Sequence, residues 1–287
     1  MTANSRWYKK GTDLLREIDG AKTDEGVSLW FLGQLGFVIK IKETVIYIDA
    51  LLNDFSDGKG NGRIYEPPFL TNDGVRADYF ICTHNHGDHL NLKTLLPQSR
   101  ANPQTRFIVP SSSRVVLTSA GIEEDLVIGA KEGEVIHLSE GIDLFPVAAA
   151  HPVYEHDLNG NYTCLGYVIR GNGVCLYHAG DTMVTPQLLE TLEKFKPIDI
   201  AILPINGEDW ERTAQGIIGN MNVEDAVRFV RALEIDLAVP AHYDMMNNNC
   251  VNPARFTDEM YRTCPQKKHH IFALGEQFHY YKENFNI

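Results

Sequence analysis

A dense block of candidate metal ligands constrains this chain more than any other feature of its sequence. The block Thr83-His84-Asn85-His86-Gly87-Asp88-His89 directly follows residues 79–82, an apolar run typical of a buried strand. In an extended backbone, residues i and i+2 project to the same side, so His84 and His86 can reach one ion. Gly87 relaxes the backbone before Asp88 and His89, which turn toward a neighbouring position. Imidazole and carboxylate ligands predict a divalent metal such as zinc, manganese or iron.

Three later candidate ligands each follow an apolar run that we predict to be a strand. They are His151 after residues 145–150, Asp181 after residues 173–176, and His242 after residues 237–239. Four strand ends that carry ligands predict one site at one edge of the sheets. His156 lies close to His151 and competes with it for the role of third histidine ligand. His178 lies inside a predicted strand, and we expect it to pack or to support a ligand.

The composition restricts the partners of such a site. The chain of 287 residues carries 26 Lys and Arg against 38 Asp and Glu, a net charge of −12, and its cations are not clustered. This excludes recognition of a nucleic-acid backbone. No window approaches the roughly 18 apolar residues of a membrane span, and the N-terminus lacks the apolar core of a secretory signal. Five cysteines without a C-x-x-C motif predict reduced thiols in a cytoplasmic protein.

The order of apolar and amphipathic segments predicts an α/β fold. Strands are predicted, after an amphipathic leader helix, at residues 27–32, 37–41, 45–48, 79–82, 107–109, 134–138, 142–148, 162–169, 173–178, 198–204, 237–240, 271–274 and 277–281. Helical periodicity marks residues 186–195, 223–233 and 253–262, and Asn222 is the expected N-cap of the second helix. We therefore predict two sheets packed face to face with helices outside, in one domain over residues 1–287.

These motifs resemble the metallo-β-lactamase superfamily of hydrolases, whose pattern is H-x-H-x-D-H followed by a His, an Asp and a last His. The matching stretches are residues 30–37, 83–89, 177–182, 198–205, 221–226 and 240–243. Within the superfamily the chain looks most like the L-ascorbate-6-phosphate lactonase group. The resemblance implies a four-layer αββα sandwich. It also implies a first metal held by His84, His86 and His151, and a second held by Asp88, His89 and His242, with Asp181 bridging the two.

The resemblance implies an enzyme with one or two divalent ions, zinc or manganese. Water held by such ions has a pKa lowered from about 15.7 toward about 7, and the hydroxide attacks a lactone or ester. We expect a small anionic substrate such as a sugar-lactone phosphate, with Asp88 accepting the proton of the attacking water. The alternative is a phosphodiesterase acting on a small phosphodiester. A homo-oligomer is compatible with the sequence.

Four residues are further candidates for contact with the substrate. Tyr243 follows the last predicted ligand, and Asn206 lies on the long irregular stretch of residues 206–221. Lys59 and Arg63 lie among glycines in the irregular stretch of residues 53–78 and are candidates to bind a phosphate. Each has an alternative interpretation, which is packing for Tyr243, a solvated loop for Asn206, and solvated charges for Lys59 and Arg63.

Overall fold

The first of two sheets is formed mainly by strands from the N-terminal part of the chain, and both faces of these strands are apolar. The computed structural model describes residues 5–56, 62–70 and 75–282. The strands of this sheet that come first along the chain are β1 (Val27–Gly33), β2 (Gly36–Ile41), β3 (Thr44–Ile48), β4 (Tyr79–Ile81), β5 (Arg106–Pro110) and β6 (Val127–Ala130). β1, β2 and β3 pair with one another antiparallel, whereas β4, β5 and β6 follow β3 in parallel.

The second sheet repeats this arrangement with later strands. They are β7 (Ile136–Ser139), β8 (Ile142–Ala148), β9 (Leu165–Gly171), β10 (Val174–His178), β11 (Ile200–Pro204), β12 (Leu237–Ala241) and β13 (Lys268–His269). The strands from β7 to β10 form an antiparallel meander, and β11, β12 and β13 follow β10 in parallel. The last strand, β14 (Gln277–Tyr280), returns to the first sheet and pairs with β1.

Helices cover the outer face of each sheet. They are α1 (Gly11–Gly20), α2 (Leu92–Ala101), α3 (Arg114–Ser119), α4 (Pro186–Glu193), α5 (Trp210–Ala214), α6 (Val223–Ala232) and α7 (Ala254–Thr263). In β1, Trp30 packs with Leu14 of α1 on the outer side, whereas Phe31 packs in the cluster that also holds Tyr167 of β9. Because both faces of the strands are buried, their sequences read as continuous apolar runs. The predicted αββα sandwich is confirmed.

Most predicted elements are present with bounds shifted by one to three residues. Asn222 caps α6 as predicted, because its Oδ1 accepts a hydrogen bond of 2.8 Å from the Asp225 backbone N–H. The strand predicted at residues 271–274 is wrong, since β13 ends at His269. Residues 271–274 are apolar because they cross from one sheet to the other, and the Phe272 ring packs against Phe37 with centroids 5.6 Å apart.

The sequence patterns did not predict α2, α3, α5 or β6. α2 contains Pro97 and follows its N-cap Asn91, whose side chain accepts from the Lys93 N–H. α3 and α5 are each at most six residues long, too short for a periodic apolar pattern to be recognised. No helix among the described residues is long and apolar enough to cross a membrane. The five cysteines, all within the described ranges, are free thiols.

Candidate metal centre

The candidate ligands lie at one edge of the sandwich because they follow strands of one direction. Within the first sheet β1, β3 and β4 run the same way, and within the second sheet β8, β10, β11 and β12 do. Their C-terminal ends deliver the segments that carry Gln34, Asp49, the block of residues 83–89, His151, Asp181, Asn206 and His242. Loops at a single sheet edge bring side chains together that are far apart in sequence.

A first group of ligand atoms comes from His84, His86 and His151, with Asp181 beside them. One ligand atom of each residue lies within 4.8 Å of the others. His151 Nε2 is 3.3 Å from His86 Nδ1 and 3.5 Å from Asp181 Oδ2. The His84 and His86 rings have centroids 4.5 Å apart, as the same-side projection of residues i and i+2 predicted.

A second group comes from Asp88, His89 and His242, whose ligand atoms also lie within 4.8 Å of one another. Asp181 Oδ1 is 3.5 Å from His89 Nε2 and 3.4 Å from His242 Nε2. Its other oxygen, Oδ2, is close to the first group. The Asp181 carboxylate therefore lies between the two groups, in the position that the resemblance assigned to a bridging ligand.

The chemistry of these atoms fits divalent cations. His84 Nε2, His89 Nε2 and Asp181 Oδ1 are buried without a hydrogen-bond partner in the described structure, a costly arrangement that a cation would relieve. Burial holds the pKa of His84 well below its usual value, so its imidazole is neutral and free to bind a metal. Burial alone would raise the pKa of Asp181, but the neighbouring His242 and His89 outweigh it and hold this pKa well below the usual value.

Asp49, which the sequence patterns did not single out, orients the second group from behind. It directly follows β3, and its Oδ2 accepts from His89 Nδ1 at 2.8 Å. The Thr83 N–H and hydroxyl also donate to this carboxylate, at 2.8 and 2.7 Å. A carboxylate behind an imidazole turns the other ring nitrogen toward the metal. The missed signal was an aspartate directly after an apolar strand, the same signal that marked Asp181.

Gln34 is a second positioning residue that was missed, although it lies in a stretch that carried the resemblance. Its Nε2 donates to Asp88 Oδ2 at 2.9 Å and lies 3.0 Å from His242 Nε2. The backbone carbonyl oxygen of Gln34 accepts from the backbone N–H of His242 at 2.6 Å. Gln34 and His242 both have a φ of 58°, in the left-handed region. The backbone hydrogen bond between these two strained residues therefore fixes the position of His242.

The structure places the two histidines near residue 150 in different surroundings. His151 is buried against Asp181, whereas His156 is exposed and stacks on Tyr162 with ring centroids 4.3 Å apart. His178 is fully buried, and its Nε2 donates to the Leu35 carbonyl oxygen at 2.9 Å. It therefore packs behind the site, as expected from its place inside a strand.

The candidate substrate residues have mostly structural contacts. The Tyr243 ring packs against Phe31 with centroids 5.9 Å apart and is buried. Arg63 donates to the carbonyl oxygens of Leu51 and Tyr65 at 2.6 and 2.8 Å, and burial lowers its pKa. Asn206 is buried in a hydrogen-bonded network of side chains described below. Lys59 lies outside the described residues.

A cavity of about 220 Å³ opens over the two groups. Its described lining residues are Phe55, His86, Gly87, Asp88, His151, Asp181, Gly216, Ile217, Ile218, His242 and Asn249. The Phe55 ring lies so close to Gly87 that an added Cβ would be 2.9 Å from it. Gly87 therefore makes room for this ring and does not adopt the left-handed backbone that only glycine favours. A larger cavity, of about 580 Å³ beside α7, contains none of the candidate ligands.

Comparison with known proteins agrees with this geometry. Residues 44–243 match the family described as a beta-lactamase superfamily domain. A UPF0173 metal-dependent hydrolase from Thermococcus onnurineus (strain NA1) is 30% identical over 207 residues, which cover 69% of this chain and 84% of the relative. A UPF0173 metal-dependent hydrolase from Thermococcus kodakarensis is 27% identical over 230 residues, covering 80% of this chain and 90% of the relative.

Among solved structures, the chain is similar to Igni18, a metallo hydrolase from the archaeon Ignicoccus hospitalis. The TM-score is 0.70 at 21% identity, covering 90% of this chain and 99% of that chain. At this identity the similarity supports the fold. The matched family range contains every candidate ligand from His84 to His242. The chain therefore belongs to the beta-lactamase superfamily, as a member of the family called UPF0173.

Proposed function

We propose that the protein is a metal-dependent hydrolase that cleaves a small lactone or ester. The observation that carries this proposal is the position of Asp181, whose two oxygens lie 3.4–3.5 Å from the Nε2 atoms of His89, His151 and His242. This carboxylate joins two sets of ligand atoms beneath one open cavity. The relatives named as metal-dependent hydrolases support the same conclusion.

His84, His86 and His151 would hold one cation, and Asp88, His89 and His242 the other, with Asp181 shared. Divalent cations supply the activation of water and the polarisation of a carbonyl when they are bound. Asp88 lines the cavity and is the carboxylate that accepts the proton of the attacking water. Its Oδ2 is held by Gln34 Nε2 at 2.9 Å, which keeps the group aimed at the cavity. Asp49 and Gln34 act only through the ligands that they position.

The substrate class follows from the walls of the cavity. Phe55, Ile217 and Ile218 supply an apolar side, and no lysine or arginine is among the described residues that line it. The guanidinium of Arg63 is bound to backbone carbonyl oxygens. We therefore propose a compact lactone or ester whose acyl group faces the metals. A sugar-lactone phosphate, the narrower prediction from the resemblance, requires a phosphate contact from outside these residues, for which Lys59 is the candidate.

The test combines metal analysis with a substrate panel. The purified protein is loaded with zinc or with manganese, and the bound metal per chain is measured. Hydrolysis of γ-butyrolactone, p-nitrophenyl acetate and bis-p-nitrophenyl phosphate is then compared with that of the protein treated with EDTA. We expect metal-dependent turnover of the lactone or the ester to exceed that of the phosphodiester. A preference for bis-p-nitrophenyl phosphate would favour the phosphodiesterase instead, and a metal-loaded protein inert to all three would contradict a hydrolase of this class.

Zinc and manganese both remain predictions from the donor set, because imidazole and carboxylate ligands suit either ion. The cytoplasmic location also remains a prediction from the sequence, as do the single domain and the small-molecule partner. Activity with one of the two metals at matched occupancy would identify the ion that the site uses.

A further inference from the structure

One polar side chain stands out in the wall of the metal cavity. Asn249 lines the cavity together with Phe55, Ile217 and Ile218, and its exposed fraction is 6%. It follows β12 and His242 in the chain and is not among the candidate ligand atoms. Its amide oxygen accepts two hydrogen bonds, whereas its Nδ2 has no acceptor among the described residues. This Nδ2 is not among the polar side-chain atoms that are buried without a partner, so solvent or a ligand can reach it and accept its hydrogen bond.

The orientation of this amide is determined by chemistry. Arg212 Nη1 donates to Asn249 Oδ1 at 2.6 Å, and a guanidinium has no acceptor atom, so the oxygen must face it. Asn206 Nδ2 donates to the same oxygen at 3.1 Å. An inverted amide would place its NH₂ group against the guanidinium. The Nδ2 group is therefore held on the side away from Arg212.

A network that runs from the buried Asn206 and Asn220 to the exposed Asp209 holds Arg212 and Asn206 in place. Arg212 Nη2 donates to the Asn206 carbonyl oxygen at 2.9 Å, and its Nε donates to Asp209 at 2.5 Å. Asn220 Nδ2 donates to Asn206 Oδ1 at 3.0 Å, which fixes the orientation of the second amide. All four residues belong to the stretch of residues 206–221, whose Ile217 and Ile218 form part of the cavity wall. Residues 206–221 therefore shape the cavity wall and orient the Asn249 amide in it.

We propose that Asn249 is a substrate-binding catalytic residue whose Nδ2 donates a hydrogen bond to the acyl oxygen of the substrate. The proposal rests on the proposed function. The donor is held in place before the substrate arrives, so it requires no reorganisation when negative charge develops on that oxygen during attack by water. Phe55, Ile217 and Ile218 give this donor an apolar surrounding on one side of the cavity. The site therefore takes a substrate with an acceptor oxygen beside a compact apolar acyl group.

Two substitutions separate this role from folding. Asn249→Asp keeps the size of the side chain and an oxygen for Arg212 and Asn206, but replaces the NH₂ donor with an oxygen. Asn249→Ala removes the whole amide. Asn248→Ala is the matched control, because Asn248 is the neighbouring residue of the same type and lines the adjacent cavity but not the metal cavity. Zinc content and the thermal unfolding midpoint are measured for each variant.

The kinetic readout is the hydrolysis of p-nitrophenyl acetate and γ-butyrolactone by the zinc-loaded protein. We expect both Asn249 variants to lower kcat/KM by about 10- to 100-fold, mainly through kcat, at unchanged zinc content. Asn248→Ala should stay within twofold of the wild type. Wild-type kcat/KM in both Asn249 variants would overturn the inference and leave the proposed function intact.

A binding readout keeps the two proposals distinguishable. Butyrate, a carboxylate with a compact apolar chain, is titrated calorimetrically into each zinc-loaded protein. We expect its Kd to rise about fivefold or more in both Asn249 variants and to stay unchanged in Asn248→Ala. If the wild type is inert to the esters, the proposed function fails, and butyrate affinity decides the inference alone. Equal butyrate affinity in all four proteins, or no binding to the wild type, would then overturn it.

Discussion

The two halves of the candidate metal centre are built from similar residues but are supported differently. The exposed-side group consists of His84, His86 and His151, and the braced group consists of Asp88, His89 and His242. In the braced group, Asp49 holds His89 and Gln34 holds both other members. In the exposed-side group, His84 Nδ1 contacts the Thr83 hydroxyl at 3.1 Å, and the exposed His86 ring has one hydrogen-bond partner among the described residues, His151 at 3.3 Å. The protein therefore prepares one half before metal arrives and leaves the other half less constrained.

This difference has a cause in the fold. The braced group lies where Asp49 and Gln34, at the ends of β3 and β1, reach the block of residues 83–89 from within the first sheet. Residues that hydrogen-bond a metal ligand typically contribute about 10–100-fold to metal affinity. We expect the two halves to differ in how strongly they depend on their surroundings.

The largest expected effect follows from removing the residue that the halves share. Asp181→Ala takes a carboxylate from both groups, so we expect bound zinc to fall below one ion per chain. The substitution removes a direct ligand from each of two metal sites. Loss of a residue that only supports a ligand typically costs about 10–100-fold, so kcat/KM should here fall by about 10³-fold or more. Metal analysis and ester hydrolysis measure both effects. Asp143→Ala, which removes a carboxylate paired with His137, is the control, and an unchanged two-ion content in Asp181→Ala would contradict the shared position.

Asp49→Asn tests chiefly the braced group, because Asp49 contacts His89 directly and reaches His84 only through the Thr83 hydroxyl. The change removes the charge behind His89 while keeping the size of the side chain, so zinc affinity of the braced group should fall about 10- to 100-fold. The exposed-side group should keep its affinity, which a competitive chelator titration resolves. Asp199→Asn is the matched control, since Asp199 is another buried carboxylate that accepts from a backbone N–H, here that of Cys175 at 2.7 Å. Equal loss at both halves would show that they are not independently supported.

The two halves should also differ in their dependence on pH. Burial lowers the pKa of His84 and of His151. It acts likewise on His89, but the charges of Asp181, Asp88 and Asp49 outweigh it and raise that pKa well above 6.5, and the pKa of His242 is also raised. The metal-free braced group thus keeps its imidazole protons to higher pH than the exposed-side group, and a metal must displace them.

Zinc binding to the braced group should release protons at pH 7, and its affinity should rise by up to about tenfold per pH unit for each proton. The exposed-side group should release almost none. In the metal-free protein, a histidine whose pKa is raised by folding stabilises the folded state. This contribution is complete at pH values below the pKa of the unfolded chain, and it is lost as the pH rises through the pKa of the folded protein. Calorimetry in two buffers of different ionisation enthalpy measures proton release. Proton release of the same size from both groups would contradict the difference.

The smallest effects concern the metal-free fold. His86 is exposed, so His86→Ala should change the free energy of unfolding by less than about 0.5 kcal/mol. His89→Ala leaves the buried Asp49 carboxylate without its imidazole partner and should cost about 2–3 kcal/mol, with the Thr83 contacts limiting the loss. Urea unfolding in the presence of EDTA compares the two variants. A cost for His86→Ala equal to that for His89→Ala would show that both halves are braced.

Sequence patterns predicted the ligands better than their supports. His84, His86, His151, Asp181 and His242 all follow apolar runs, and strand ends of one direction meet at one edge. Asp49 follows such a run as well, yet a single aspartate after a strand is also a common turn residue. Gln34 and Asn249 carry no charge, and an amide becomes informative only when its neighbours are known. α2 was missed for a related reason, because its Pro97 and weak apolar pattern hide a helix that packing stabilises.

Local chemistry in the sequence determined the class of site, because an H-x-H-x-D-H block after a strand has few uses other than metal binding. It also determined the layered fold, since continuous apolar strands need cover on both faces. Tertiary structure alone decided that His151 and not His156 faces Asp181, that Arg63 binds backbone oxygens, and that Asn249 presents a free donor. These outcomes depend on distances between segments far apart in the chain, which residue spacing does not encode.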